Sequence, residues 1–147
     1  MLINKAASYE YEITDSYEAG IELLGSEVKS LRLGKGSMKG GFVKVRDGEA
    51  YLHNVHIHPY EFSRDEEYEP TRIRRLLLHK KEILKLEQLD QKKGVSLIPL
   101  KIYGSGRRFK VRVGVGKGRK SHEKRRVLKL RDQERELRKQ LKNVAIR

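Results

Sequence analysis

The residues from Gly116 to Arg126, GKGRKSHEKRR, have side chains suited to binding a polyanion. Seven of these eleven residues are charged, and six of the seven are Lys or Arg. Such a segment cannot build a buried core, because Lys and Arg are almost never fully buried unless they are paired. Since Lys and Arg neutralise phosphates, the segment predicts contact with a nucleic acid.

A group of histidines suggests a different chemistry. His53, His56 and His58 lie within six residues, and His79 follows. Histidines at this density sometimes bind zinc. On a strand, however, His53 and His56 project to opposite faces, and only His56 and His58 share one. The chain has no cysteine, nucleophile elbow, phosphate-binding loop or paired-carboxylate motif, so the pattern favours neither a metal site nor an enzyme.

The excess of positive charge is concentrated in the last 44 residues of the chain. The formal net charge is +14 over 147 residues. From Met1 to Tyr103 there are 17 Lys or Arg against 16 Asp or Glu, whereas from Gly104 to Arg147 there are 17 against 4. Because the rest of the chain is nearly neutral, electrostatic attraction for a polyanion is concentrated at the cationic segment, on one side of the molecule. Nucleic acid is therefore the predicted partner.

Length and composition predict one domain with an extension, in a reducing compartment. The absence of cysteine fits the cytoplasm. The N-terminal MLINKAASYEYE lacks the apolar stretch of a secretory signal, and the longest strongly apolar run, 76–78, is far shorter than a membrane span. We therefore expect a cytoplasmic protein without membrane association.

The first half of the domain predicts four strands and one helix. Alternation in SYEYEIT predicts a strand over 8–14, and a second extended segment covers 17–24 with Gly20 at a bulge or close approach. Ser26 as the cap and Gly34 as the stop predict a helix over 27–33. Asp47 and Gly48 are typical of a type I′ turn, which joins strands over 42–46 and 49–57.

The second half predicts a helix and a hairpin after a polar connection over 58–71. Ile83, Leu86 and Leu89 recur at helical spacing, and Gly94 ends that pattern. Strands over 95–103 and 107–115 surround a Gly-Ser-Gly turn, with Pro99 at an edge or bulge. The inward-facing residues of the last strand are Phe109, Val111, Val113 and Val115.

The resulting order ββαββαββ predicts an antiparallel sheet closed, or nearly closed, into a small barrel with two helices over its open ends. The oligonucleotide-binding (OB) barrel is the nearest common architecture. On its last strand Lys110 and Arg112 point away from the buried face. They form either a solvated strand face or, together with the basic segment that follows, a stripe that tracks phosphates.

Residues after His122 are rich in helix formers and contain no Gly or Pro. Their apolar line is thin and is interrupted at Glu134. It consists of Val127, Leu130, Leu137 and Leu141. Isolated helices of this size are marginal, so we expect a segment that is disordered when free and becomes a helix of roughly 30 Å against a polyanion. The alternatives are a helix docked on the barrel and a coiled coil.

Four segments closely resemble the small protein B family, the partner of transfer-messenger RNA (tmRNA) in bacterial trans-translation. They are NKAASYEYEITDSYEAGIELLGSEVKSLRLGK, DGEAYLHNVHIHPY, EPTRIRRLLLHKKEI and VGVGKGRKSHEKR. The resemblance runs from about Asn4 to Arg126. It implies a six-stranded barrel related to the OB-fold over 1–116, and a basic tail over 117–147 that is disordered when free and helical on the ribosome.

The resemblance also implies a function without catalysis or cofactor. The family binds the tRNA-like domain of tmRNA, delivers it to stalled ribosomes and mimics the missing codon–anticodon interaction in the decoding centre. The implied partners are tmRNA and small-subunit ribosomal RNA, and the implied state is a monomer bound to one RNA.

Family positions map onto two sets of residues in this chain. The expected tmRNA-binding residues, with Arg112 added from the basic stripe, are Asn4, Lys5, Glu18, Leu77, Lys110 and Arg112. The expected decoding-centre residues are Lys117, Gly118, Arg119, Lys120, His122, Lys124 and Arg125. Beyond Arg126 the resemblance extends only to a basic, helix-prone composition.

Two other functions are compatible with parts of the pattern. A constitutive ribosomal or RNA-packaging protein would thread the basic extension permanently between RNA helices, and it would stay on ribosomes through a high-salt wash. A metal-dependent nuclease would use the histidines, and it would contain bound metal.

Overall fold

A computed structural model describes residues 1–146, with side chains for residues 1–143. Nine strands and four helices form along this part of the chain. In chain order they are β1 Leu2–Ile3, α1 Ala7–Glu10, β2 Tyr11–Ile21, α2 Gly25–Arg32, β3 Gly36–Ser37, β4 Phe42–Arg46, β5 Glu49–His53, β6 His56–Ile57, β7 Arg74–Leu77, α3 Lys80–Asp90, β8 Val95–Ser105, β9 Arg108–Gly118 and α4 Ser121–Ile146.

Seven strands form one antiparallel sheet in the order β1-β8-β9-β2-β7-β5-β4, and β3 pairs with β6 separately. The mainly β, antiparallel prediction is confirmed, but the count of six strands and the closed barrel are wrong. Strand β4 packs beside β8, but the two strands are not paired by backbone hydrogen bonds. The approach is close at Gly41, the residue before β4, where an added Cβ would lie 3.2 Å from Pro99 Cγ. Pro99 has no amide hydrogen and precedes a bulge, which disfavours a closing ladder there. The relation to the OB-fold stays a prediction.

The N-terminal strand prediction is partly wrong. Residues 7–10 form the helical turn α1, and one long strand, β2, replaces the two expected over 8–14 and 17–24. The register shifts between Ile13 and Asp15, so a bulge bends β2 rather than a loop dividing it. Three or four alternating residues fit either a strand or one helical turn, which is why the pattern misled.

The turns of both predicted hairpins are confirmed, but the strand expected over 49–57 ends at His53, and His56–Ile57 forms the separate strand β6, which pairs with β3. Asp47 and Gly48 have φ angles of 52° and 75°, the left-handed values that a type I′ turn requires. The second hairpin pairs β8 with β9 from Val95 to Ser105, and a register shift after Pro99 places that residue at a bulge, as expected. Val111, Val113 and Val115 are buried.

Helices α2 and α3 form close to their predicted positions, α2 against β6 and α3 against β4 and β8. Helix α2 starts two residues early, and its cap is Leu24 rather than Ser26, since the Leu24 amide donates to Glu27 Oε1 at 2.8 Å. Gly34 ends it with a φ of 69°. Helix α3 buries Leu86 completely in the core, which explains the apolar spacing recognised there.

Strand β7 and a buried ion cluster were missed. Arg74, 0% exposed, donates from Nε to Glu27 Oε2 at 2.6 Å and from Nη1 to the Val55 carbonyl at 2.7 Å. Arg72 also pairs with Glu27, and Tyr68 OH lies 2.9 Å from the same carboxylate. The cluster ties α2, β7 and the 58–71 connection together.

Helix α4 follows β9 and is exposed along most of its described length. Its 26 residues span about 39 Å. Four leucines that remain exposed on it are Leu128, Leu130, Leu137 and Leu141. The disorder expected for this segment in the free protein stays a prediction. None of the described helices is long and apolar enough to cross a membrane.

Candidate RNA interface

Three neighbouring strands carry a polar cluster on the outer face of the sheet. Glu18 on β2 lies opposite Arg112 on β9, and Lys110 on β9 lies opposite Tyr103 on β8. The adjacent residues Ala19, Val111 and Ile102 are buried. Since side chains alternate along a strand, the cluster points outward.

The Glu18 carboxylate holds the other members of this cluster. Its Oε1 accepts a hydrogen bond from Lys110 Nζ at 2.7 Å, and its Oε2 accepts one from Tyr103 OH. Arg112 Nη2 lies 3.9 Å from Oε2, and Arg112 Nη1 donates to Ser16 Oγ at 3.0 Å. Hydrogen bonds from Lys110 and then Tyr103 lower the pKa of Glu18, and the same pairing raises the pKa of Lys110. Glu18 therefore positions two cations beside each other.

The Glu18–Lys110 pair predicts a measurable pH effect. Because the pKa of folded Glu18 is lowered, the pair is intact above the ordinary carboxyl range and is lost as pH falls through the folded pKa. Replacing Lys110 with Met removes the hydrogen bond that lowers the pKa of Glu18 most, so this pKa is expected to rise. Carboxyl-detected NMR titration measures it, with Lys39→Met as a surface control. An unchanged Glu18 pKa in Lys110→Met contradicts the pairing.

A groove lies where β2 meets β7 and the start of α3. Gly20 pairs with Leu77, and a Cβ on Gly20 would lie 3.2 Å from Leu77 Cβ, so the close approach expected at Gly20 is present. Leu77 remains 46% exposed. The lining residues of the groove are Glu18, Ala19, Gly20, Leu77, Leu78, His79, Glu82 and Lys110. Thus Glu18, Leu77 and Lys110 come together, with Arg112 adjoining Glu18.

Asn4 and Lys5 lie outside this groove. The Asn4 side chain donates from Nδ2 to the Pro99 carbonyl at 2.9 Å, and its backbone amide donates to the Leu100 carbonyl at 2.9 Å. These bonds hold the N-terminal segment against β8. Lys5 is exposed beside it.

The first residues of the basic segment pack against α1 and the start of β2. The sequence did not predict this contact. Lys117 and Gly118 complete β9, where they pair with Glu12 and Tyr11. The next residue, Arg119, donates its amide to the Glu10 carbonyl at 2.9 Å and its Nε to the Ser8 carbonyl at 3.2 Å. Further along α4, Lys124 Nζ lies 5.9 Å from the Tyr9 ring centroid, and Arg131 donates to the Ser8 hydroxyl.

The remaining expected tail residues lie just before or within the first turns of α4 and face solvent. Lys120, His122 and Arg125 are exposed. The His122 side chain is 71% exposed, with Nε2 3.9 Å from Glu123 Oε1. This position leaves the imidazole accessible to a base or phosphate.

The histidines of the hairpin region make packing contacts. His53 stacks on Phe42 with ring centroids 5.0 Å apart and planes 4° apart, and burial together with Lys44 lowers its pKa. His56 and His58 meet edge to face at 5.1 Å. Within the described part of the chain, no three His, Cys, Asp or Glu residues group as metal ligands would.

An antiparallel sheet that carries Lys110 and Arg112 on its outer face and is followed by a cationic helix is typical of a nucleic-acid-binding protein. The sequence model of one such family, described as SmpB protein, matches residues 1–143 of this chain. The chain belongs to the SmpB family.

Relatives and a solved structure agree with this assignment. SsrA-binding proteins of Latilactobacillus sakei and Enterococcus hirae are 48% and 47% identical over 134 and 142 residues. These alignments cover 91% and 97% of this chain and 86% and 92% of the relatives. A chain of a structure described as "tmRNA-SmpB: a journey to the center of the bacterial ribosome" is 47% identical with a TM-score of 0.70, covering 82% of this chain and 85% of that one.

Proposed function

We propose that this protein binds tmRNA in trans-translation and delivers it to stalled ribosomes. The groove around Glu18, Leu77 and Lys110 binds the tRNA-like domain. Helix α4 and the residues that precede it enter the decoding centre, where they stand in for the missing codon–anticodon pairing. The protein acts by binding alone, without a cofactor, as a cytoplasmic monomer with one RNA molecule.

One observation carries the assignment of the groove. Glu18, Leu77 and Lys110 are distant in sequence, yet they line a single groove on the outer face of the sheet. The groove offers an exposed apolar side chain for a base and adjoining cations for phosphates. Helix α4 supports the second role because it presents basic side chains to solvent, beginning three residues after the end of β9.

Lys110 is expected to supply a phosphate contact for tmRNA. Replacing Lys110 with Ala should weaken binding and lower the slope of log K against log salt by about 1, because one neutralised phosphate fewer releases fewer counterions. Filter binding at several salt concentrations measures both quantities. Lys93→Ala, which removes an exposed cation away from the expected tmRNA-binding residues, is the matched control. Equal affinity and salt slope for Lys110→Ala and the unmodified protein would place tmRNA elsewhere on the molecule.

A further inference from the structure

The groove contains two carboxylates, Glu18 and Glu82, which differ in the number of hydrogen bonds that they accept. Both oxygens of Glu18 already accept, one from Lys110 and one from Tyr103. Glu82 accepts at Oε1 from the His79 amide at 3.3 Å, and no hydrogen bond to its Oε2 occurs among the described residues. A carboxylate has about four acceptor positions. Glu82 therefore retains most of its acceptor capacity inside the groove.

The rest of the groove suits one flat ring. Leu77 and Leu78 form an apolar wall, and Gly20 leaves the adjacent backbone without a side chain. The volume of about 350 Å³ is near the lower end of small-ligand sites, roughly 300–1,000 Å³. Lys110 lines the same groove, and its ammonium group is of the kind that contacts phosphates.

The chemistry of the bases decides which ring fits a carboxylate with free oxygens. Unstacked bases are commonly read by hydrogen bonds to their Watson–Crick edge. On that edge guanine has two adjacent donors, the ring N1–H and the exocyclic amino group, which match the two oxygens of one carboxylate. Adenine and cytosine each offer an amino group beside an acceptor, which a carboxylate repels. Uracil offers one N–H between two acceptors.

We propose that the groove receives one unstacked guanine of the bound RNA, with its ring against Leu77 and its Watson–Crick edge on the Glu82 carboxylate. Glu82 is then a specificity residue, while Glu18 positions Lys110. This inference rests on the proposed function, since the guanine belongs to the RNA that the groove binds.

NMR titration of the full-length, isotope-labelled protein with GMP, AMP, CMP and UMP tests the preference directly. GMP is expected to bind about tenfold more tightly than the other three and to shift the signals of Leu77, His79 and Glu82. In Glu82→Gln the preference should disappear, because an amide NH₂ opposes the guanine donors. Gln still accepts from the His79 amide, so α3 keeps its start. Glu66→Gln, an exposed position outside the groove, should leave the preference unchanged. Equal binding of all four nucleotides, or a GMP preference that survives in Glu82→Gln, overturns the inference.

The affinity of tmRNA for two variants separates this inference from the proposed function. Both Glu82→Gln and Lys110→Ala are expected to weaken binding, the former by about tenfold. If Glu82→Gln binds tmRNA like the unmodified protein while Lys110→Ala does not, the guanine assignment is wrong and the groove still binds RNA. If neither variant weakens binding, both proposals fail.

Discussion

Removing residues 119–147 should abolish tagging of stalled chains while leaving tmRNA affinity within about tenfold of the full-length value. The groove around Glu18, Leu77 and Lys110 lies entirely in the retained part. Strand β9 pairs with β2 as far as Gly118, so ending the chain there preserves the sheet ladder. The lost cations contribute mainly sequence-independent attraction, which decreases as salt increases.

Two assays on the same preparations test this separation of roles. Binding of tmRNA is measured at near-physiological salt, and tagging is measured in a reconstituted translation system stalled on a truncated message. A full-length variant with His122→Ala, Lys124→Gln and Arg125→Gln provides the matched test, since it keeps the helix but removes three of the expected decoding-centre side chains at its start. It should bind tmRNA and fail to tag. Parallel loss of tmRNA affinity and tagging in both variants would refute separate roles for the sheet and the helix.

Arg74→Met should destabilise the fold by about 3–5 kcal/mol, because it leaves Glu27 buried with much of its charge uncompensated. That is a large share of the roughly 5–15 kcal/mol that stabilises a typical domain. Adding Glu27→Leu should recover part of the loss, since the double variant no longer buries the carboxylate. Urea denaturation followed by circular dichroism measures both.

Arg64→Met is the control for Arg74→Met, because Arg64 is exposed and forms no ion pair among the described residues. It should change the free energy of unfolding by less than about 0.5 kcal/mol. If Arg74→Met is equally mild, the buried cluster does not hold α2 against β7.

The same cluster sets a pH dependence of stability. Burial alone would raise the pKa of Glu27, but hydrogen bonds from Arg72, the Leu24 amide and Arg74 lower it on balance. A lowered folded pKa means that the stabilisation is present above the unfolded carboxyl value, about 4.3, and is lost as pH falls through the folded pKa. Burial and then Glu27 raise the pKa of Tyr68 to about 12, so this hydroxyl stays neutral across the physiological range.

Local signals predicted the parts of the fold that depend on local chemistry. The Asp47–Gly48 turn, the stop at Gly34 and the buried valines of β9 all follow from neighbouring residues, and all are confirmed. Strand β7 was missed because its arginines resemble a solvated surface. Arg74 is buried only because Glu27, 47 positions earlier, neutralises it. No periodicity records such a pairing.

The residues of the candidate site were also predictable from the sequence, whereas the contacts between them were not. Alternation placed Lys110 and Arg112 on the outer face, and the family resemblance added Glu18 and Leu77. That Glu18 holds Lys110 depends on the register between β2 and β9, which the sequence does not specify. The docking of Arg119 and Arg131 on Ser8 depends likewise on α1, whose short pattern fits a strand equally well.

Sequencing the RNA that co-purifies with the full-length protein, after a high-salt wash, tests the central claim most directly. A protein whose groove reads a folded RNA and whose basic helix acts only on the ribosome should retain tmRNA as its predominant RNA, with little ribosomal RNA. Ribosomal RNA retained in stoichiometric amount, without tmRNA, would contradict the account and favour a permanent ribosomal component.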